Sequence, residues 1–300
     1  MKIRRLSYAL GVEILDVDIS EPLDDAVFGQ IHDAFLRYSV LLFRGRALTS
    51  EQHVAFARRF GEVDPNADAL VNRHPQIPEI MRLHYPGTKS GDPSASYQGE
   101  FWHTDLSFKP NPPAATLLRA LEVPEVGGDT MFANMYLAYE QLSDGMKALI
   151  DDVHAVHAGG GNRIDRSTPE RFAETVRQNR TAQPLARVHP ETGRKSLYLC
   201  DARNVKCLAG MSAAESAPLL QFLVEHATRE QFCYRHQWQV DDLLVWDNRC
   251  LMHRALGDYD RSQARNMERS TVLGTPSGYL YDGPLEGELL QSDIQLPVAA

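Results

Sequence analysis

Residues 101–108 place an imidazole and a carboxylate at a spacing that suits metal binding. The segment reads Phe-Trp-His-Thr-Asp-Leu-Ser-Phe, and side chains two positions apart in an extended segment point to the same side. His103 and Asp105 can therefore hold one ion together. A histidine and a carboxylate are two thirds of the facial triad that leaves three positions of iron(II) open. Because a single His-x-Asp triplet also arises by chance, an ordinary surface loop is the alternative until a third ligand is found.

The best candidate for the third ligand is His253. It follows an apolar strand pattern at residues 243–246 and a polar turn, so a barrel strand can present it inward. His154 and His157 lie three apart in a β-like run, face opposite sides and cannot share one ion. The other histidines are interpreted as surface or hydrogen-bonded structural residues: His32, His53, His74, His84, His189, His226 and His236.

Two arginines follow His253 on a β-like segment. Arg265 comes twelve positions after it and Arg269 four positions later, so strand alternation puts both on the same face as Met267 and Thr271. If this face lines a barrel, two guanidinium groups are held in a poorly hydrated interior and require anionic partners. The alternative is a solvated face whose arginines form surface ion pairs, and periodicity alone does not separate the two.

The elements that must position these residues are mostly short strands. Helices are predicted at residues 24–38 and 50–60, with a buried strand at 40–43 between them. A third helix starts at a capping box on Ser212 and is expected to point Leu219, Leu220, Phe222 and Leu223 inward. The remaining β-like segments are residues 114–121, 130–133, 153–158, 185–189, 196–199, 233–238, 243–246 and 265–274. This pattern predicts a mainly β fold with peripheral helices and a double-stranded β-helix (jelly-roll) core.

Neither an internal repeat nor a long low-complexity linker interrupts the chain, so we expect one domain over residues 1–300. Two polar, glycine- and proline-containing stretches, residues 85–100 and 159–184, are predicted to be loops that cover a site.

Composition narrows the range of partners. The chain has 300 residues, is 43% hydrophobic and carries a formal charge of −9, with no basic run longer than an arginine pair. A chain of this length and hydrophobic content can bury a large core. Because the chain is acidic and lacks a basic run, nucleic acid is not an expected partner. No apolar run approaches the roughly 20 residues that span a bilayer. Four cysteines without a CxxC pair favour a reducing compartment, so we expect a cytoplasmic protein with a small-molecule substrate. A homo-oligomer is left open.

Several motifs together resemble the taurine dioxygenase and 2,4-dichlorophenoxyacetate dioxygenase family. They are residues 11–14, 44–45, 102–105, 127–130, 246–249 (Trp-Asp-Asn-Arg) and 265–269, and they extend over nearly the whole chain. The resemblance implies a double-stranded β-helix and an iron(II) site at His103, Asp105 and His253. It also implies that Thr130 and Arg265 hold 2-oxoglutarate and that Arg269 lies beside the substrate.

The resemblance further implies a reaction in which O2 and 2-oxoglutarate are consumed, succinate and CO2 are released, and the substrate is hydroxylated. Iron(II), Asp105 and doubly ionised 2-oxoglutarate sum to one negative charge, which Arg265 neutralises. Arg269 then remains for a substrate carboxylate or sulfonate. Tyr97 and Trp102 are candidates for an aromatic wall of the substrate pocket, with core packing as the alternative.

Gly99 stands where the named enzymes carry asparagine, which disfavours taurine, whereas residues 234–250 look closer to aryloxyalkanoate-degrading members. Two other interpretations stay open from the sequence. One is a jelly-roll metal protein with hydrolase or isomerase chemistry, and the other is a metal-dependent binding protein without catalysis.

Overall fold

The computed structural model describes residues 1–65, 72–87, 99–159, 171 and 179–283. Within these ranges the helices are α1 (Asp25–Tyr38), α2 (Ser50–Ala57), α3 (Met135–Glu140), α4 (Asp144–Ile150) and α5 (Ala213–Ala227). The strands are β1 (Ile3–Arg5), β2 (Val12–Ile14), β3 (Val40–Phe43), β4 (Met81–Tyr85), β5 (Ala115–Glu122), β6 (Thr130–Asn134), β7 (His154–Ala158), β8 (Arg180–Pro184), β9 (Ala186–Val188), β10 (Lys195–Leu197), β11 (Val205–Leu208), β12 (Cys233–His236), β13 (Leu243–Asp247), β14 (Leu251–Ala255), β15 (Arg265–Val272) and β16 (Tyr279–Leu280).

The largest sheet, called the major sheet below, has the strand order β1-β2-β3-β13-β5-β15-β4. Its neighbouring strands are antiparallel, except that β2 and β3 run parallel. Every residue of β3 and β13 is buried. Such strands need apolar cover on both faces of the sheet.

Alternation along β13 sends its side chains into two different cores. Val245 packs with Phe35 of α1 in a cluster between the major sheet and the first two helices. Trp246, the next residue, points the other way and packs with Phe132 of β6. The strand β6 lies in a second sheet, called the minor sheet, with the order β12-β6-β14. The two sheets therefore face each other across a shared core.

A third cluster covers the outer face of the minor sheet. Met252 of β14 packs there with Leu223 of α5 and Leu197 of β10. The short pair β10-β9 and a four-stranded sheet of order β11-β7-β8-β16 complete this side. The result is the predicted mainly β fold with peripheral helices and a jelly-roll core, in which the space between the two sheets can hold a site.

The predicted helices are confirmed, and their caps explain where they begin. The side chain of Asp24 accepts a hydrogen bond from the amide of Val27, so α1 starts one residue later than predicted. Ser212 and Glu215 form the predicted capping box of α5. The helix α2 ends at Ala57 rather than at residue 60. None of the described helices is long and apolar enough to cross a bilayer.

Two expectations were wrong. Phe222 is 42% exposed, because it lies about 100° around α5 from Leu223 and outside the buried stripe that contains Leu223 and Ala227. Residues 180–184, predicted as part of a loop, form β8, whose Thr181 and Gln183 are buried against β7. Most of the two predicted covering loops lies outside the described residues.

Candidate metal centre

The structure brings the three predicted metal ligands together. His103 and His253, 150 positions apart, form a two-way backbone bridge: the amide of each donates to the carbonyl of the other, at 3.0 and 2.8 Å. The Nε2 atoms of both rings lie 3.9 Å from Oδ1 of Asp105. One ligand atom from each residue falls within 4.8 Å of the other two. His253 is supplied by β14, next to β6 in the minor sheet.

Each of the two imidazoles is held in place by its surroundings. Nδ1 of His103 lies 2.8 Å from the carbonyl oxygen of Phe101, which can only accept, so Nδ1 carries the proton and the Nε2 lone pair is available. Burial lowers the pKa of His253 to about 3, which keeps this ring neutral at physiological pH. Trp246 fixes the ring of His253 from the side, with 4.8 Å between ring centroids.

Asp105 is held as a carboxylate. Burial alone would raise its pKa, but the nearby Arg269 guanidinium and the hydrogen bond from Thr116 help to lower it to about 2. The hydroxyl of Thr116 donates to Oδ2 at 2.7 Å, and Nη1 of Arg269 lies 3.3 Å from Oδ1. Two imidazoles and one ionised carboxylate are the donor set of a facial triad for iron(II), so the residues present fit that metal.

The face of β15 that carries the two predicted arginines is interior. Arg265 is 5% exposed, and its Nε donates to the carbonyl of Gly128 at 3.2 Å. The Arg269 side chain is 17% exposed and reaches the metal centre through Asp105. The solvated-face alternative is therefore wrong. The opposite face of β15 is buried as well, since Glu268 is covered by Ser50 of α2, which donates to it at 2.8 Å.

Thr130 lies at the start of β6, where it is buried and accepts a hydrogen bond from the indole of Trp238 at 2.9 Å. It pairs in register with Ala255 of β14, two positions after His253. Thr130 therefore lies on the strand beside the one that carries the candidate metal ligand His253.

The structure describes one of the two aromatic candidates for the substrate pocket, Trp102. Tyr97 lies outside the described ranges. Trp102 is buried in the cluster on the outer face of the minor sheet, with the guanidinium of Arg254 5.1 Å above its ring. This placement favours the packing alternative for Trp102, and its contact with a substrate stays a prediction.

A second group of metal-binding residue types, which sequence reasoning missed, consists of His189, Asp247 and Cys250. Its carboxylate is already used: Arg249 donates to its two oxygens at 2.8 and 2.7 Å, and Nε2 of His189 donates at 3.0 Å. Burial raises the pKa of the Cys250 thiol, whereas a metal would need the thiolate. We interpret this cluster as a buried ion pair. Because Glu191 follows His189 at the same spacing as in His103-x-Asp105, only the fold distinguishes the two motifs.

The comparisons with known proteins agree with this geometry. The family model described as taurine catabolism dioxygenase TauD, TfdA family matches residues 2–271. The α-ketoglutarate-dependent 2,4-dichlorophenoxyacetate dioxygenase of Cupriavidus pinatubonensis (strain JMP 134 / LMG 1197) is 34% identical over 281 residues, which cover 89% of this chain and 94% of that protein. The α-ketoglutarate-dependent sulfate ester dioxygenase of Pseudomonas putida is 34% identical over 276 residues, covering 88% and 87% of the two chains.

A crystal structure titled as a taurine dioxygenase from Burkholderia xenovorans superposes with a TM-score of 0.77 at 34% identity, covering 97% of each chain. The fold and the His-x-Asp…His site thus define a 2-oxoglutarate-dependent dioxygenase. This is an oxidoreductase that uses iron(II), 2-oxoglutarate and O2. The chain belongs to the TauD, TfdA family. The comparisons support this oxidative chemistry and not the hydrolase, isomerase or binding alternatives.

Proposed function

We propose that this dioxygenase oxidises a small anionic organic compound, a carboxylate, sulfonate or sulfate ester, whose acidic group binds Arg269. In this proposal His103, Asp105 and His253 hold the iron, and Arg265 with Thr130 holds the distal carboxylate of 2-oxoglutarate. The observation that carries the proposal is the position of Arg269, with Nη1 3.3 Å from a carboxylate oxygen of the candidate metal ligand Asp105.

Arg269 has hydrogen-bonding capacity left for a ligand. A guanidinium offers five N–H donors, and its Nε is buried without a hydrogen-bond partner. The side chain is only partly buried, so an anion can reach it. Charge-assisted bonds to a planar carboxylate or sulfonate would satisfy these donors in paired geometry.

The formal charges leave Arg269 for the substrate. The metal, Asp105 and a doubly ionised 2-oxoglutarate carry one net negative charge, and Arg265 is the buried cation that balances it. Thr130, fixed by Trp238, adds a hydroxyl for the same carboxylate. When bound, the iron supplies oxygen activation coupled to the decarboxylation of 2-oxoglutarate to succinate and CO2. The protein's own groups orient the two organic acids and exclude water.

The named relatives support an anionic substrate, since one is named for 2,4-dichlorophenoxyacetate and the other for sulfate esters. Gly99, which supplies no side chain, approaches His103: a Cβ built on it would lie 3.0 Å from Cε1 of that ring. We propose an aryloxyalkanoate-like acid or a sulfate ester ahead of taurine, because the two relatives are named for such compounds and residues 234–250 look closer to aryloxyalkanoate-degrading members.

The test is a succinate-release screen with iron(II) and 2-oxoglutarate across aryloxyacids, sulfate esters, sulfonates and matched neutral esters or alcohols. We expect stimulation by one of the anionic classes and none by its neutral counterpart. Asp105→Ala is the control that should keep the fold and lose all stimulated succinate release. Efficient oxidation of a neutral compound would overturn the anionic-substrate proposal, and full activity of Asp105→Ala would overturn the metal assignment.

A single domain over residues 1–300 and a cytoplasmic location, the latter from cysteine usage, stay predictions. Nucleic acid and membrane are not proposed as partners, and the oligomeric state stays open.

A further inference from the structure

A buried chain of hydrogen bonds ends on the metal-ligand carboxylate. The indole Nε1 of Trp246 donates to Oδ1 of Asn248 at 3.0 Å, and Nδ2 of Asn248 donates to Oγ1 of Thr116 at 2.8 Å. Oγ1 of Thr116 in turn donates to Oδ2 of Asp105 at 2.7 Å. All four side chains are buried. The proposed function gives roles to His103, Asp105 and His253 but none to the other three residues.

The donor inventory allows only one direction along this chain. An indole N–H only donates, so the oxygen of the Asn248 amide must face Trp246 and its NH2 group must face Thr116. The Thr116 hydroxyl accepts from this NH2 group, and its single proton therefore goes to Oδ2 of Asp105. An ionised carboxylate only accepts, which closes the chain.

The strand pairing and the turn hold these residues in place. Thr116 of β5 and Trp246 of β13 are direct partners across the two strands. The turn after β13 is fixed from the other side by Arg249, which donates twice to Asp247, at 2.8 and 2.7 Å. The backbone carbonyl of Asn248 also accepts from Thr104, which lies between the ligands His103 and Asp105, at 2.8 Å.

We propose that Thr116, oriented by Asn248 and Trp246, is a positioning residue that occupies Oδ2 of Asp105 so that only Oδ1 binds the iron. This inference rests on the proposed function of the metal centre. If Oδ2 could also bind, Asp105 would take a second coordination position, and one fewer would be open for 2-oxoglutarate and O2. The Trp-Asp-Asn-Arg segment at residues 246–249 would then act on the metal site through Thr116, although none of its side chains is proposed as a ligand.

The test compares Thr116→Val, which keeps the shape and removes the hydroxyl, with Thr116→Ser, which keeps the hydroxyl. Mn(II) binding to the metal-free protein is measured by calorimetry, and 2-oxoglutarate binding by the visible charge-transfer band of the anaerobic iron(II) complex. For Thr116→Val we expect Mn(II) affinity at or above that of the wild type, because a second oxygen becomes available. The 2-oxoglutarate concentration for half-maximal absorbance should rise about tenfold. Thr116→Ser should restore the wild-type value.

Thr181→Val is the matched control, since this threonine is equally buried and its hydroxyl donates to a backbone carbonyl, that of Phe108. It measures the loss of Tm caused by removing a buried hydroxyl, and its 2-oxoglutarate binding should be unchanged. Unchanged 2-oxoglutarate binding in Thr116→Val would overturn the proposal. A parallel loss of Mn(II) affinity would overturn it too, because Thr116 would then only keep the ligand in place.

Failure of this inference is distinguishable from failure of the proposed function. If Asp105→Ala loses Mn(II) and 2-oxoglutarate binding while Thr116→Val behaves as the wild type, the metal site stands and the positioning role falls. If Asp105→Ala binds both as the wild type does, the metal assignment itself is wrong, and the positioning role falls with it.

Discussion

Arg269 lies 3.3 Å from Oδ1 of Asp105, although 164 positions of the chain separate the two residues. The contact joins the candidate substrate-binding cation to a candidate metal ligand. It also helps to keep the pKa of Asp105 low against the effect of burial. Substitutions at residue 269 therefore have to be tested for effects on the metal as well as on the substrate.

Replacing Arg269 by alanine should raise KM for the best substrate of the screen by about ten- to a hundredfold. This is the effect of losing a charge-assisted hydrogen bond of about 1.5–3 kcal/mol. KM for 2-oxoglutarate should change much less, and decarboxylation without substrate should persist. Both KM values, the iron(II) affinity and the ratio of succinate to oxidised product are measured together.

Two variants sharpen the Arg269 experiment. Arg269→Lys keeps the charge but not the paired geometry and should fall between wild type and alanine. Arg58→Ala removes an exposed arginine that pairs with Glu79, and it should behave as the wild type. An equal loss of affinity for substrate and 2-oxoglutarate would assign Arg269 to the cosubstrate or to the fold instead.

Arg265→Ala should raise KM for 2-oxoglutarate by about ten- to a hundredfold, since the buried arginine that is proposed to bind the cosubstrate is lost. Substrate KM at saturating 2-oxoglutarate should stay close to the wild-type value. The control is Arg82→Ala on the neighbouring strand β4. The Arg82 side chain is half exposed and lies near Glu268, on the other face of β15 from Arg265. If KM for 2-oxoglutarate is the same in Arg265→Ala and wild type, the cosubstrate role is rejected.

Gly99→Ala should weaken metal binding. Gly99 has a φ of +86°, which an L residue rarely adopts, and its added Cβ would lie 3.0 Å from Cε1 of His103. The ring would have to shift by a few tenths of an ångström from its present position, so we expect a loss of Mn(II) affinity of about tenfold or more. Calorimetry on the metal-free protein measures this. Gly145→Ala is the control, since a Cβ there meets nothing within 4 Å. Equal Mn(II) affinity in the two variants would show that His103 has room to adjust.

Stability should fall as the pH drops from about 6.5, and His157 should contribute to this. Burial lowers its pKa to about 3, whereas in the unfolded chain it takes up a proton near pH 6.5. Between these values the unfolded chain binds the extra proton, so the free energy of unfolding decreases with falling pH by up to about 1.4 kcal/mol per unit. His157→Gln should flatten this slope in urea titrations between pH 4.5 and 6.5. At pH 8 the difference in free energy of unfolding between wild type and variant gives the packing effect alone. If the pH dependence of the variant has the same slope as that of the wild type, His157 is protonated in the folded protein.

Local patterns in the sequence determined much of the secondary structure. The cap at Asp24, the capping box at Ser212 and the apolar run of β3 each depend on residues within a few positions, so they could be predicted without the fold. The inward position predicted for Phe222 was wrong. An apolar residue beside a helical stripe looks the same in the sequence whether it faces the core or solvent. Strand β8 was missed because its polar residues are buried only through pairing with β7 and β16.

For the site, the sequence by itself identified the three candidate ligands and the two candidate arginines on one face of a strand, because these follow from spacing and motif. Only the tertiary structure decided that the arginine face of β15 is interior, since alternation is identical for a buried and a solvated strand. It also showed that His189 contacts a buried ion pair, that His103 lies in the candidate metal centre, and that Thr116 donates to Asp105. These contacts join residues that are distant in the chain. Strand register sets the distances between the residues, and burial sets their charge states. No local sequence pattern encodes either property.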